Sequence, residues 1–491
     1  MVVGVVSLVG PWGCDQVAGW LGGADADFGK RPEMPAAGAD ERENARPDAT
    51  PEAEKTGQAL EMTLEMNSAE EAAPRNEATA LAGAALTPRI SALTEAQRDE
   101  IVALRRDLHA HPELGNREVR TAGRIAAYLR ALGLEPREGV AKTGVVARLN
   151  FGRPGPFVAL RADIDGLPVE EATDLPFASK ARAEWQGEMT PVMHACGHDV
   201  HTAALLGVAT NLMALKDDLA GEVLFIFQPA EEGPPEGEEG GAALMLKEGV
   251  FRPRTPDAVF AFHTYAHLPV GVVGITPGPA WAAVDTFHVT LKGQGGHGGR
   301  PHLGVDPIVL AAKAILDLQT IVSRAVDPVS PAVVTVGAIH GGNRNNIIPE
   351  EVTFEGTVRT HEPATRARIE RRMRQVLDGA TLEEGASYTL RYHRELPPLV
   401  NDRALAASVR ASLVQSVGAG AVRDLPPTTG GEDFAFFVEA APSVMFRVGV
   451  SSPKHPSGPH PSKTFRVDDA SLAIAIRALN QVSVDRLLTP G

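Results

Sequence analysis

The sequence predicts an α/β fold with a second, α+β unit inserted into it, and three observations lead there. Strands alternate with helices from about residue 94 onward. Several strands are unbroken apolar runs, the pattern of a sheet covered on both faces. Residues 285–395 hold a complete β-α-β-β-α-β series of their own, the ferredoxin-like arrangement.

Taken in order, residues 1–90 carry 15 Asp and Glu against 7 Lys and Arg and are rich in Ala and Pro. Such a stretch buries too little apolar area to offset chain entropy, so a disordered acidic tail is expected. TEAQRDEIVALRRDLHAHPEL then opens like a capping box, Thr94 with Gln97 three residues on, before Ile101, Leu104 and Leu108 at helical spacing. A second helix, VRTAGRIAAYLRALG, stops at Gly133. TGVVARL and PFVALRA read as strands, and HDVHTAALLGVATNLMAL as a long helix. The strands EVLFIFQ and DAVFAFH follow, separated by the helical GGAALMLKEG, and close a first segment, 91–284.

The inserted unit, 285–395, runs through the strand DTFHVTLKG, the helix DPIVLAAKAILDLQTIVSR and the strands PAVVTVGAIHGG and EEVTFEGTVRT. It ends with the helix PATRARIERRMRQVLDGATL and the strand SYTLRYHREL. Residues 396–491 return to the first domain with a helix over NDRALAASVRASLVQS, the strand APSVMFRVGV and a final helix through DASLAIAIRALNQVSVDRLL.

A length of 491 residues with 43% hydrophobic residues suits two or more cores. The net charge of -15 gives no support for nucleic-acid binding. No run reaches the roughly 18–20 apolar residues that span a bilayer. The leading MVVGVVSLVGPWGC has no basic residue and makes a poor secretory signal, and Pro11-Trp12-Gly13 argues against a lipid on Cys14. With Cys14 and Cys196 as its only cysteines, the chain is expected in the cytoplasm.

Three apolar runs break off into metal-binding residue types: PFVALRADID at Asp163 and Asp165, EVLFIFQPAEE at Glu231 and Glu232, DAVFAFH at His263. Ligands in α/β sheets gather beyond the carboxyl ends of the strands. Between the first two runs lies HACGHDVH, residues 194–201. In extended chain, Cys196 and His198 would face one side, and thiolate with imidazole suits zinc or another borderline metal. An isolated C-x-H is more simply a buried cysteine beside a capping histidine, but His194, Asp199 and His201 in the same eight residues make a poor core. Adjacent Glu231 and Glu232 can divide labour, one on metal and one on protons. His263 alone is as readily a core histidine. In GQGGHGGRPH the glycines allow close backbone approach and present His297 from a loop. Asn346 and Arg359 bracket one strand region, and by spacing alone Arg359 reads as a surface arginine.

RRDLHAHPELGNRE, TGVVARL, ALRADIDGLPVEE, MHACGHDVHTAALLG, IFQPAEEG, GGHGGRPH, NIIPE with GTVR, and GGEDF occur in that order between 105 and 434. Together they resemble the amidohydrolase branch of the aminoacylase/carboxypeptidase metallopeptidase family, with its hippurate hydrolases, N-acyl-amino-acid amidohydrolases and auxin-conjugate hydrolases. The resemblance implies a zinc-peptidase-like catalytic domain, here 91–284 with 396–491, and a lid and dimerisation domain at 285–395. It implies two divalent metal ions (zinc, manganese, cobalt or nickel) on Cys196, His198, Glu232, His263 and a late histidine. His460 is the choice for that last ligand because it leads into Phe465 and acidic residues, with His455 as rival. Glu231 would be the general base and acid, and His297 would support the oxyanion, often across a dimer. Asn346 and Arg359 would grip the substrate carboxylate, with Asp163 and Asp165 orienting histidines.

The expected activity is metal-dependent hydrolysis of the amide bond of N-acyl amino acids. Two alternatives stand beside it: a thiol amidase with Cys196 as nucleophile, and a non-catalytic protein that binds metal or acyl amino acid.

Overall fold

In the computed structural model, residues 77–382 and 385–489 are described. The larger domain is built on an eight-stranded sheet. Its spatial order is Arg137–Val140, Gly144–Asn150, Glu222–Gln228, Phe157–Asp163, Ala258–Pro269, Ser443–Ser451, Val273–Ile275, Val422–Asp424. The middle four strands are parallel, as their continuous apolar sequences predict. One face packs against the helices Arg98–Ala110, Val119–Ala131, His198–Ala214, Arg403–Val417 and Ala470–Leu487; the other lies under Gly241–Lys247 and Ala435–Ala440. The carboxyl ends of the parallel strands therefore open to one edge of a layer closed on both sides.

The inserted unit is a four-stranded antiparallel sheet, ordered Ala332–Gly341, Glu351–Thr360, Ala283–Lys292, Ser387–Leu396. The helices Pro307–Thr320 and Pro363–Ala380 cover one face through Leu318, Ile369 and Met373 against Phe287 and Phe354. The open face is largely polar, with His288, Glu355 and Arg391 in one cross-strand row. Among the described residues no helix is long and apolar enough to cross a membrane.

Two expectations change. The tail, expected to run to residue 90, overlaps a helix at Glu77–Ala96, whose Ile90 is buried in the main core. Residues 1–76, with Cys14, lie outside the described residues. The capping box at Thr94 is absent: Thr94 Oγ1 donates back to the Ile90 carbonyl at 2.8 Å, and Gln97 is held by Gly207 and Asn211. A helix already precedes Thr94, so its hydroxyl finds a carbonyl one turn back before any free amide.

Candidate metal centre

Each side chain of the centre is aimed by a local backbone feature. Cys196 and His198 converge through a turn, not an extended segment. Gly197 sits at φ 95°, and a Cβ there would lie 2.5 Å from Thr264 Oγ1, so only glycine fits. His198 is the first residue of the helix His198–Ala214. Its Nδ1 faces Asp165 Oδ1 at 3.1 Å, which turns Nε2 toward Glu231 and Glu232 at 3.8 and 3.9 Å. Glu231 and Glu232 leave the strand Glu222–Gln228 through Ala230, at φ 51°. The Glu232 amide is fixed on Asp165 Oδ2 at 3.0 Å.

His263 does not end its strand, which continues to Pro269. Pairing with the strand Phe157–Asp163 stops at Ala261, while the strand Ser443–Ser451 stays paired with it past His263, opposite Arg447, to Pro269. Its Nδ1–H donates to the Thr264 carbonyl at 2.6 Å, leaving Nε2 3.5 Å from Cys196 Sγ. His460 lines the same cleft, its ring 5.6 Å from the His263 ring and packed on Phe465. His455 is exposed and is not among the residues lining the cleft.

Among the described residues four sets of donor atoms lie within 4.8 Å of one another: Cys196, His198 and His263; His198, Glu231 and Glu232; Asp163, His198 and His201; and Glu231, Glu432 and Asp433. His201 has both nitrogens engaged, Nδ1 with Asp163 at 2.5 Å and Nε2 with the Thr264 amide at 2.9 Å. Asp199 is turned away onto Arg105 and His109 at 2.7 and 2.9 Å.

The electrostatics favour a cation. Burial, then Glu432, Glu232 and Asp433, push the Glu231 carboxyl well above its usual range. Burial lifts Glu232 to about 7 with Asp165 adding and His198 opposing. Burial opposes charge on His198, yet Asp163 and Asp165 hold its imidazole at about 10. Burial beside other histidines keeps His263 well below the ordinary range and His460 at about 3, so both rings are neutral donors. The Nε2 atoms of His198 and His460 are buried with no hydrogen-bond partner. Thiol, neutral imidazoles and crowded carboxylates form a donor set that fits borderline divalent metals.

These groups floor a cleft of about 660 Å³, walled by Tyr265, Trp281, Arg359, Arg447 and residues 428–431. Among the described residues no carboxylate is within ion-pair reach of Arg359. Burial lowers its pKa against the pull of Glu395 and Asp285. His297 and Asn346 are not brought into this cleft. Both are exposed on neighbouring segments of the inserted unit, tied by the Gly298 amide to the Asn346 carbonyl at 2.9 Å.

Sequence reasoning gave no role to Arg161. Buried in the sheet, it binds Asp163 at 2.7 Å, Glu432 and Asp433 at 3.0 Å each, and Gln228 at 2.8 Å. The signal was a cation inside an otherwise apolar strand, which demands buried acids as partners.

The sequence profile of peptidase family M20/M25/M40 matches residues 159–484. The chain is 39% identical over 389 residues to an N-acetyl-L-cysteine deacetylase of Bacillus subtilis, covering 79% of this chain and 88% of that one. It is 41% identical over 312 residues to an N-acyl-L-amino acid amidohydrolase of Geobacillus stearothermophilus, covering 64% and 80%. A crystal structure of a dinuclear metal-binding M20 peptidase from Bacillus subtilis superimposes with a TM-score of 0.68 at 33% identity, over 80% of this chain and 99% of that one.

Proposed function

The chain belongs to peptidase family M20/M25/M40, and from that premise we propose a metal-dependent amidohydrolase that splits N-acyl amino acids into a carboxylic acid and an amino acid. The observation that carries this reading is one cleft that joins Glu231, crowded against Glu232 and His198, to an Arg359 with no acid partner among the described residues. Cys196, His198, Glu232, His263 and His460 would hold two divalent ions. Bound there, such ions supply Lewis acidity, which brings the pKa of water from about 15.7 toward about 7.

Glu231 accepts the proton from the attacking water and returns it to the leaving amine. Arg359 grips the substrate carboxylate through its planar fork, with Asn346 as second donor. His297 supports the oxyanion. Its exposed place outside this chain's cleft, and the exposed Ile308, Val309, Leu316 and Ile347 of the same inserted unit, support a homodimer in which a second copy delivers His297 and Asn346. Two cysteines in the whole chain support a cytoplasmic protein.

The test is amine release from a panel of N-acetyl, N-benzoyl and indoleacetyl amino acids by metal-stripped protein resupplied with zinc, manganese, cobalt or nickel. Turnover restored by metal supports the proposal. Tight metal binding with no hydrolysis of any amide overturns it in favour of a binding protein. Activity that survives chelators but not thiol alkylation points to Cys196 as nucleophile.

A further inference from the structure

Residues 113–118 run alongside the loop that carries Glu231 and Glu232, and the contacts between the two segments are specific. Glu118 is completely buried. It precedes the helix Val119–Ala131 but makes no side-chain cap to it. Its Oε1 instead accepts a hydrogen bond from the Ala230 amide at 2.8 Å, and its Oε2 accepts one from the Thr143 hydroxyl. Ala230 is the non-glycine residue at φ 51° from which the two glutamates depart. Beside it, Gly115 packs so closely that a Cβ would lie 2.9 Å from the Gly233 carbonyl and 3.1 Å from Ala230. Asn116 Nδ2 donates to the Glu239 carbonyl at 3.0 Å. The loop is thus clasped on both sides of Glu231 and Glu232.

We propose that Glu118 is a positioning residue for the reaction: by accepting the Ala230 amide it holds the left-handed turn that aims Glu231 and Glu232 into the cleft. A left-handed alanine persists only where its surroundings over-determine it. Ala230 is itself buried, so without Glu118 its amide has no water to turn to. The turn then relaxes toward negative φ, and the directions of both following side chains change. This rests on the reading of Glu231 and Glu232 as proton carrier and metal ligand.

The experiment compares Glu118→Leu, Glu118→Gln and Glu118→Asp in the full chain. Two readouts are taken: kinetics on an acyl amino acid, and calorimetric titration of metal-stripped protein with zinc. Gln keeps an oxygen for Ala230 and a donor for Thr143, so it should stay within roughly threefold of wild type, as expected where a hydrogen bond is kept. Leu keeps bulk without the acceptor and should lose about 100-fold in kcat with KM little changed. Its zinc affinity should fall roughly 10- to 100-fold. If Leu fails to fold, Asp decides: it keeps the carboxyl group, is one methylene too short to reach Ala230, and should behave as Leu does. A folded Leu or Asp variant with wild-type kcat and zinc affinity overturns the proposal, and so does a Gln variant as impaired as Leu. If the wild type hydrolyses no acyl amino acid, the proposed activity falls and the zinc titration alone decides the role of Glu118.

Discussion

Asp165 holds two partners of the candidate centre at once, the imidazole Nδ1 of His198 at 3.1 Å and the backbone amide of Glu232 at 3.0 Å. One carboxylate therefore fixes both the tautomer of a histidine donor and the backbone of a glutamate donor. Asp165→Ala should lower metal affinity and kcat together by roughly 10- to 100-fold, the usual effect of losing such a supporting group. Metal content after dialysis against a graded chelator series checks this. Unchanged retention would show that His198 needs no orienting partner.

Glu231→Gln should lose about 100- to 10,000-fold in kcat, the range for a positioned proton carrier. Because Glu231 sits among Glu232, Glu432 and Asp433, removing its charge relieves repulsion, and the variant should fold and bind metal as well as wild type. Metal analysis beside steady-state kinetics tests both halves. An active variant removes Glu231 from the mechanism.

Arg359→Ala should raise KM for an acyl amino acid. A charge-assisted hydrogen bond is worth about 1.5–3 kcal/mol, or roughly 10- to 150-fold in kcat/KM. Wild type should discriminate by a similar factor against the matching acyl amino amide, which lacks the carboxylate, while the variant treats both alike. Retained discrimination would place the carboxylate elsewhere.

Subunit exchange tests the dimer. His297→Ala and Glu231→Gln proteins should each be nearly inactive alone. Mixed and re-equilibrated in equal amounts, half of the dimers pair one of each, and about a quarter of all sites regain both groups. Recovery of activity to that level is the expected outcome. No recovery from freely exchanging subunits would mean that His297 acts within its own chain or not at all.

Away from the centre, buried His109 lies between Asp199 at 2.9 Å and Glu171 at 3.2 Å. Burial opposes the imidazolium, but Asp199 and the hydrogen bonds to Asp199 and Glu171 raise its pKa above the usual 6.5. Burial likewise opposes charge on Glu171, yet its bonds to His109 and Thr173 lower its pKa below the usual 4.5. A raised imidazole stabilises the fold fully below 6.5 and loses that contribution as pH climbs through the raised value. A lowered carboxyl contributes above 4.5 and loses it as pH falls. The gap in Tm between wild type and His109→Gln should be widest between those two values and narrow toward alkaline pH. A gap that widens on the alkaline side contradicts the pairing.

The parallel core was legible because its strands are apolar on both faces and end in polar ligands. That pattern brought Cys196, Glu231, Glu232 and His263 to one cleft, with His198 clustered beside them. Features that depend on distant partners were not legible. The helix Glu77–Ala96 resembles tail in composition, and its Ile90 acquires meaning only against the main core. Arg161 finds Glu432 271 residues away, a pairing no local pattern encodes. The strand running past His263 follows from its pairing with Ser443–Ser451, far on in the chain, and the turn at Gly197 from the approach of Thr264.

The strand Ser443–Ser451 sits inside the sheet although it is nearly last in the chain, and that order sets a schedule for biosynthesis. Arg161 leaves the ribosome long before Glu432 and Asp433, and Cys196 and His263 long before His460. At roughly 5–20 residues per second, the 197 positions from His263 to His460 take about 10–40 s to make. Throughout that interval a nascent chain has most of its soft donors in place while the seat of the last strand is still open. Its thiol is then most accessible to stray metal and to oxidants, so the quality of the mature centre depends on how the cell shelters an incomplete sheet.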